Sequence, residues 1–249
     1  MANRAFRGES NDSPSFFSTE GLNMLFDDLN WMDVENYLQH DDRVILITGA
    51  TEQHAYLSLL TDIRIPTRLA MAVSHHTHVL VAPPLNFGVS EYFMDYPGTI
   101  TLSEETFNAV VSDIVYSLSR HGFRRFLILN GHGGNPFPQG LQELSALKPE
   151  LKIVWHSWWK SKAVQKFAAE INQTPDHANW LENFPFTRVT ESPQTIKPPV
   201  DFERIDAGEN RREVMGDGSF GGAYQISDEL MQTFFDRLVH EITEIVEDL

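Results

Sequence analysis

The chain contains no cysteine, which excludes disulfides and removes thiolates from any metal-ligand set. It has no apolar run near the roughly 18 residues that a bilayer span requires. Basic residues are scarce. Against 35 Asp and Glu stand 19 Lys and Arg, a formal net charge of −16 over 249 residues, and such a field repels nucleic acid and anionic membranes. The opening stretch, MANRAFRGESNDSPSFFSTEG, lacks the apolar core of a secretory signal, so a cytoplasmic protein is the expectation. What is present is a globular composition, 41% hydrophobic with 22% charged residues, enough for one substantial core.

Residues 1–20 are polar around Asn11–Pro14 and predict a flexible N-terminal arm, with residues 21–249 as the domain proper. Met24 to Leu38 reads as a helix or a pair of turns, and Val44–Ile47 as a buried strand closed by Thr48-Gly49. Leu69, Ala70 and Val73 have helical spacing within Ile63 to His75, where Pro66 limits the start of the helix. Val79–Ala82 is a second strand, and Leu85 to Thr101 a long loop of the kind that carries function. Ser103 caps a helix whose apolar residues run from Phe107 to Leu118 and which stops at Gly122. Strand patterns follow at Arg125–Asn130 and Leu151–Trp155, with helical ones around Leu141–Leu147, Ala163–Ile171 and Leu230–Leu249. Strands alternating with helices predict an α/β fold, a mostly parallel central sheet flanked by helices on both faces.

The chemistry gathers after two of the strands. Glu52 and His54, two residues apart, point the same way on an extended backbone, and Asp62 returns a second carboxylate ten residues after Glu52. These residues are either a mixed oxygen and nitrogen site for a divalent ion or ordinary charged loop residues, and their spacing alone does not choose. The segment Asn130–Asn135 (NGHGGN) lacks the lysine and spacing of a phosphate cradle, so its glycines are better explained as room around His132. Ligands of parallel sheets collect at the carboxyl ends of the strands, which sets the Glu52–His54 loop beside the His132 loop. Two further readings stay open: a second metal cluster at His75, His76 and His78 against a solvated helix end, and Arg64 as an anion contact against a partner of surface acids.

TGATEQH followed by LTD, then PGTI at Pro97–Ile100, LILNGHGGN, and His177-Ala178 with Glu182 resemble, in that order, the creatininase (creatinine amidohydrolase) family. The resemblance implies a four-layer-like α/β fold and a homo-oligomer, a hexamer in the family's usual form. It also implies two divalent metal ions, zinc first and manganese or iron as substitutes. The activity implied is hydrolysis of a non-peptide C–N bond in a small cyclic amide, lactam or formamide, by a hydroxide bridging the ions. Position by position, Glu52, His54, Asp62, His132 and Glu182 match the metal ligands, with Asp62 as the bridge, and His177 matches the proton-transferring histidine. Glu182 thus has a catalytic and a ligand role. Trp158, Trp159, Trp180 and Tyr56 are candidates for the substrate wall. The alternatives are a lactone hydrolase or an enzyme trimming a small modified peptide and, outside enzymes, a metal-binding subunit without turnover.

Three departures from the family pattern stand out. Creatininase proper has a glutamate ligand two residues after the NGH histidine, where this chain has Gly134, so Glu182 has to supply that carboxylate. EQHAYLSLLTD is one residue shorter than the pattern EQHGPHLPLGTD, with Ala55 in place of the usual glycine. Phe93 stands where many relatives carry a histidine before PGT. These changes bear on substrate choice and leave the ligands intact.

Overall fold

The computed structural model describes residues 24–249; the arm expected at residues 1–20 lies outside them. In chain order the main elements are α1 (Trp31–Tyr37), β1 (Arg43–Thr48), α2 (Thr61–Thr77), β2 (Leu80–Val81), α3 (Glu104–His121), β3 (Arg125–Asn130), α4 (Gln139–Leu147), β4 (Lys152–Ser157) and α5 (Lys162–Glu170). They are followed by β5 (Ile196–Lys197), α6 (Phe202–Asp206), α7 (Arg211–Met215), β6 (Gly222–Ala223) and α8 (Asp228–Glu247). The first four strands form one parallel sheet in the order β2-β1-β3-β4, and β5 with β6 forms a short antiparallel ribbon.

Side chains of the two central strands alternate between two cores, as a sheet covered on both faces requires. Ile45, Ile47, Leu127 and Leu129 face the core built with α2, α5 and α8, while Val44, Leu46, Phe126 and Ile128 face the one built with α3 and α4. Helix α8 is capped by the Ser227 side chain and buries Met231, Phe234, Leu238, Ile242 and Val246 at steps of three and four. Each such side chain contributes about 2 kcal/mol of burial. The chain leaves β1 for β2 on one side and then crosses to β3 on the other, so strand order reverses between β1 and β3. A crevice at the carboxyl ends of those two strands is where this architecture binds ligands.

One boundary departs from the sequence expectation. Pro66 lies inside α2 rather than limiting its start, and the helix begins five residues earlier, at Thr61. No side chain caps it; the Thr61 hydroxyl and N–H both bond the Ser58 carbonyl instead. Lacking an N–H, Pro66 cannot donate to the Asp62 carbonyl one turn back. That carbonyl packs so close to Gly49 and Gly131 that a Cβ on either glycine would overlap it. The ends of β1 and β3 thereby close on the first turn of α2, which carries Asp62.

Candidate metal centre

Asparagines hold the two strand ends in register. Thr48 Oγ1 donates to Asn130 Oδ1 (3.1 Å), Asn130 Nδ2 donates to the His132 carbonyl (2.8 Å), and Asn135 Nδ2 donates to the Gly49 carbonyl (3.2 Å) and to Asn130 Oδ1 (3.1 Å). The fourth piece is the turn after residue 175. Asn179 Oδ1 accepts from the N–H groups of Asp176 and Leu181, and Ala178, at φ 53°, turns its own N–H onto Glu182 Oε2 (2.6 Å). Side chains from three loops and one helix turn converge as a result.

Asp62 is at the centre. Its Oδ1 lies 3.0 Å from His54 Nε2 and its Oδ2 2.8 Å from His132 Nδ1. His54 Nε2 is also 3.7 Å from Glu182 Oε2, and His132 Nδ1 3.5 Å from Glu52 Oε1. Two sets of donors close enough to hold an ion follow, Glu52–Asp62–His132 and His54–Asp62–Glu182, sharing Asp62; a third is Glu52–His54–His177. The four side chains Glu52, His54, Asp62 and His132 are at most 4% exposed and Glu182 8%. Despite the short separations, Glu52 Oε2, His54 Nε2 and Asp62 Oδ2 have no aligned hydrogen bond and no solvent. Buried polar atoms without partners are costly, and these aim at common points where a cation fits. The donor set is carboxylate and imidazole, which suits zinc, manganese or iron.

Each of the two imidazoles beside Asp62 is backed by a carbonyl. His54 Nδ1 lies 3.2 Å from the Glu52 carbonyl, and His132 Nε2 2.9 Å from the Val89 carbonyl. A ring that donates backwards presents a lone pair forwards, the tautomer a ligand needs. Among protein groups alone, burial pushes the Glu52 carboxyl up to about 7. For His132 burial acts downward, yet Glu52 and Asp62 outweigh it and raise the imidazole to about 9. Burial likewise acts downward on His54, where Asp62 and Glu182 raise it well above the usual range. Burial acts upward on Asp62, where His54 and His132 hold it below the usual carboxylate range.

His177 stands over the cluster, with Nδ1 3.9 Å from Glu52 Oε1 and 4.0 Å from Glu182 Oε2. It is clamped between Phe93, stacked at 4.6 Å, and Phe220 at 4.9 Å. Burial first, and the nearby His54 second, hold it well below the normal histidine value. A cavity of about 660 Å³ opens above Glu52, Asp62, His132 and Glu182, walled by Tyr92, Phe93, Trp159, Phe202 and Phe220, and among the described residues no lysine or arginine lines it.

Of the tryptophans expected in that wall, only Trp159 lines the cavity. Trp158 and Trp180 are fully buried in the core beneath α8, because the turn after β4 and the turn before Glu182 point their large rings under the sheet. Tyr56 packs edge-on against Tyr224 at 5.4 Å and is not among the lining residues. Arg64 reaches the Phe186 carbonyl (3.2 Å) rather than a surface acid or the cavity. His75 and His76 are exposed in the last turn of α2, in none of the groupings that could hold an ion. Sequence reasoning missed the roles of Gln53, of the Asn130–Asn135 brace and of the Phe220 wall; Gln53 lies within TEQH and the asparagines within NGHGGN, so their motifs were visible though their hydrogen bonds were not, and Phe220 carried no signal.

A parallel α/β sheet with a shared-carboxylate cluster at its switch point has donor groups that could hold metal ions where such folds bind ligands. The creatininase family profile, described as creatinine amidohydrolase, matches residues 27–246. The chain belongs to the creatininase family of amidohydrolases. It is 29% identical over 209 residues to creatinine amidohydrolase of Pseudomonas putida, spanning 72% of this chain and 80% of that one. It is 32% identical over 102 residues to the mycofactocin precursor peptide peptidase of Mycobacterium ulcerans, a stretch covering 37% of this chain and 40% of the relative. Similar solved structures include a creatininase variant described as Zn–Zn type (TM-score 0.72, 24% identity) and a manganese creatininase (TM-score 0.73, 23% identity). Each alignment covers 91% of this chain and 98% of the other.

Proposed function

We propose that this chain is a metal-dependent hydrolase that cleaves the non-peptide C–N bond of a small cyclic amide, lactam or formamide. The observation that carries the reading is the pair of ligand sets sharing Asp62, with orphaned buried oxygen and nitrogen atoms, at the floor of an aromatic cavity. Glu52 and His132 would hold one ion, His54 and Glu182 the other, and Asp62 both. When bound, such a pair of ions supplies an activated water and a polarised carbonyl. Glu182 supplies the carboxylate that creatininase proper carries two residues after the NGH histidine. In this backbone a Cβ at Gly134 would overlap the Val89 carbonyl and come within 2.7 Å of His132 Nε2.

The protein's own groups do the rest. Phe93 and Phe220 fix the plane of His177, which faces the leaving nitrogen, and the aromatic walls exclude water and favour a flat substrate. Among the described residues no lysine or arginine lines the cavity, so an anionic group on the substrate would have only the metal ions for a charged partner. Assembly into a homo-oligomer, as the family resemblance implies, is part of this reading, and sedimentation velocity measures it. No helix among the described residues is long and apolar enough to cross a membrane.

A panel of amides, lactams, formamides and lactones, offered to zinc-loaded and manganese-loaded protein, tests the reading. Turnover of a cyclic amide or formamide, abolished by Glu182→Gln with the circular dichroism unchanged, is the expected result. No turnover across the panel by metal-replete protein would replace it with a metal-binding subunit. The shared stretch with the peptide peptidase favours a second reading, trimming of a small modified peptide, and short peptides belong in the same panel.

A further inference from the structure

Gln53 lies between two metal-ligand positions, and every polar atom of its side chain is used. Its Oε1 accepts from the Ala55 N–H (3.1 Å), which the left-handed backbone of Ala55 (φ 50°) aims at it. Its Nε2 donates to the Gly218 carbonyl (3.1 Å) and lies 2.9 Å from His177 Nε2. The orientation of the amide is therefore not ambiguous. A backbone N–H needs the oxygen on one side, and a carbonyl needs the nitrogen on the other. Since an amide NH2 only donates, His177 Nε2 must be the acceptor, and in a neutral imidazole the proton then sits on Nδ1. Nδ1 is the atom that faces Glu52 and Glu182.

We infer that Gln53 is a positioning residue that locks His177 in the Nδ1–H tautomer, so that His177 presents an N–H to the reacting space and is not a third metal ligand. The contrast with its neighbours carries the point. His54 and His132 have carbonyls behind them and, once they give up the proton that faces Asp62, turn lone pairs toward it. His177 has a donor behind it and turns a hydrogen toward the same space. Of the three donor groupings, Glu52–His54–His177 is thereby ruled out as an ion site, because an Nδ1 carrying hydrogen has no lone pair to give. The proton-transferring role implied by resemblance narrows to donation: His177 gives a hydrogen bond to the developing charge on the substrate and does not take the proton of the attacking water at Nδ1. The inference rests on the proposed hydrolase reading for its catalytic meaning, though the tautomer itself is readable without any substrate.

The experiment is two-bond 1H–15N correlation of the full-length, zinc-loaded protein labelled with 15N-histidine, with the His177 signals assigned through His177→Gln. The expected spectrum shows a protonated Nδ1 and an unprotonated Nε2. In Gln53→Glu, which keeps the shape but accepts where Gln53 donates, the proton moves to Nε2. Zinc per chain stays unchanged, and kcat on any substrate found falls about 10²-fold with KM within about twofold. A wild-type His177 protonated at Nε2, or with Nδ1 bound to zinc, overturns the inference. So does a Gln53→Glu protein that keeps the Nδ1–H form. Should Gln53→Glu not fold, Gln53→Met removes the donor at similar length and must abolish the preference for Nδ1–H. Failure of the substrate panel leaves the tautomer result standing, which separates the two claims.

Discussion

Adding a single methyl group at Gly134 probes how tightly the second loop is built around His132. An ideal Cβ there would overlap the Val89 carbonyl oxygen and approach His132 Nε2 to 2.7 Å, the two atoms that hydrogen-bond at 2.9 Å behind the imidazole. Neither can yield easily, since the carbonyl belongs to the backbone and the ring is 4% exposed. Losing that bond costs about 1 kcal/mol, and pushing backbone aside in a packed site adds about 1–3 kcal/mol. Gly134→Ala should thus destabilise by roughly 2–4 kcal/mol, a fall in Tm of roughly 4–16 °C for a chain of this size. Because the Val89 carbonyl also fixes the tautomer of His132, zinc affinity should drop about 10- to 100-fold. Thermal melting by circular dichroism and zinc titration against a competing chelator read both effects. A variant that melts with the wild type and binds zinc equally well would refute the packing argument. It would also reopen Gly134 as a position for a ligand.

The remaining predictions concern protons and the tryptophans. With no ion bound, His132 is raised to about 9, His54 is raised well above its usual range, and Glu52 is raised to about 7, so all compete with a metal by holding protons at neutral pH. Raised values mean the protons are lost as pH climbs through them; zinc affinity should rise from pH 6 toward pH 9, with proton release visible by calorimetry in buffers of different ionisation enthalpy. A pH-independent affinity would contradict this. Trp158→Ala, emptying a fully buried site, should cost about 3–5 kcal/mol of stability. Trp159→Ala, at the cavity wall, should leave stability nearly unchanged and alter KM; the reverse pattern would mean the two rings are wrongly assigned.

Much of the architecture is legible in the chain because its signals are local. A β-branched run marks β1 and an apolar run β3, a capping serine marks α3, and the rule that ligands sit at strand ends joins Glu52, His54 and His132 from sequence alone. The start of α2 was hidden for an equally local reason: Leu60 precedes it with no capping side chain, while Pro66 resembles a boundary. The tryptophans misled because sequence places them near the site without saying which way a ring points. Trp158 and Trp159 are neighbours, and a short 3-10 turn sends one into the core and the other to the cavity. Asn130, Asn135 and Gln53 each also bond a partner 27 to 165 residues away, and no spacing rule links such positions.

The central claim, that Asp62 bridges two ions, is most directly tested by elemental analysis of purified, metal-loaded protein before and after Asp62→Ala. About two ions per chain in the wild type, falling sharply in the variant, is the predicted result. One ion or none, unchanged by the substitution, would contradict the shared-carboxylate site and the hydrolytic chemistry built on it.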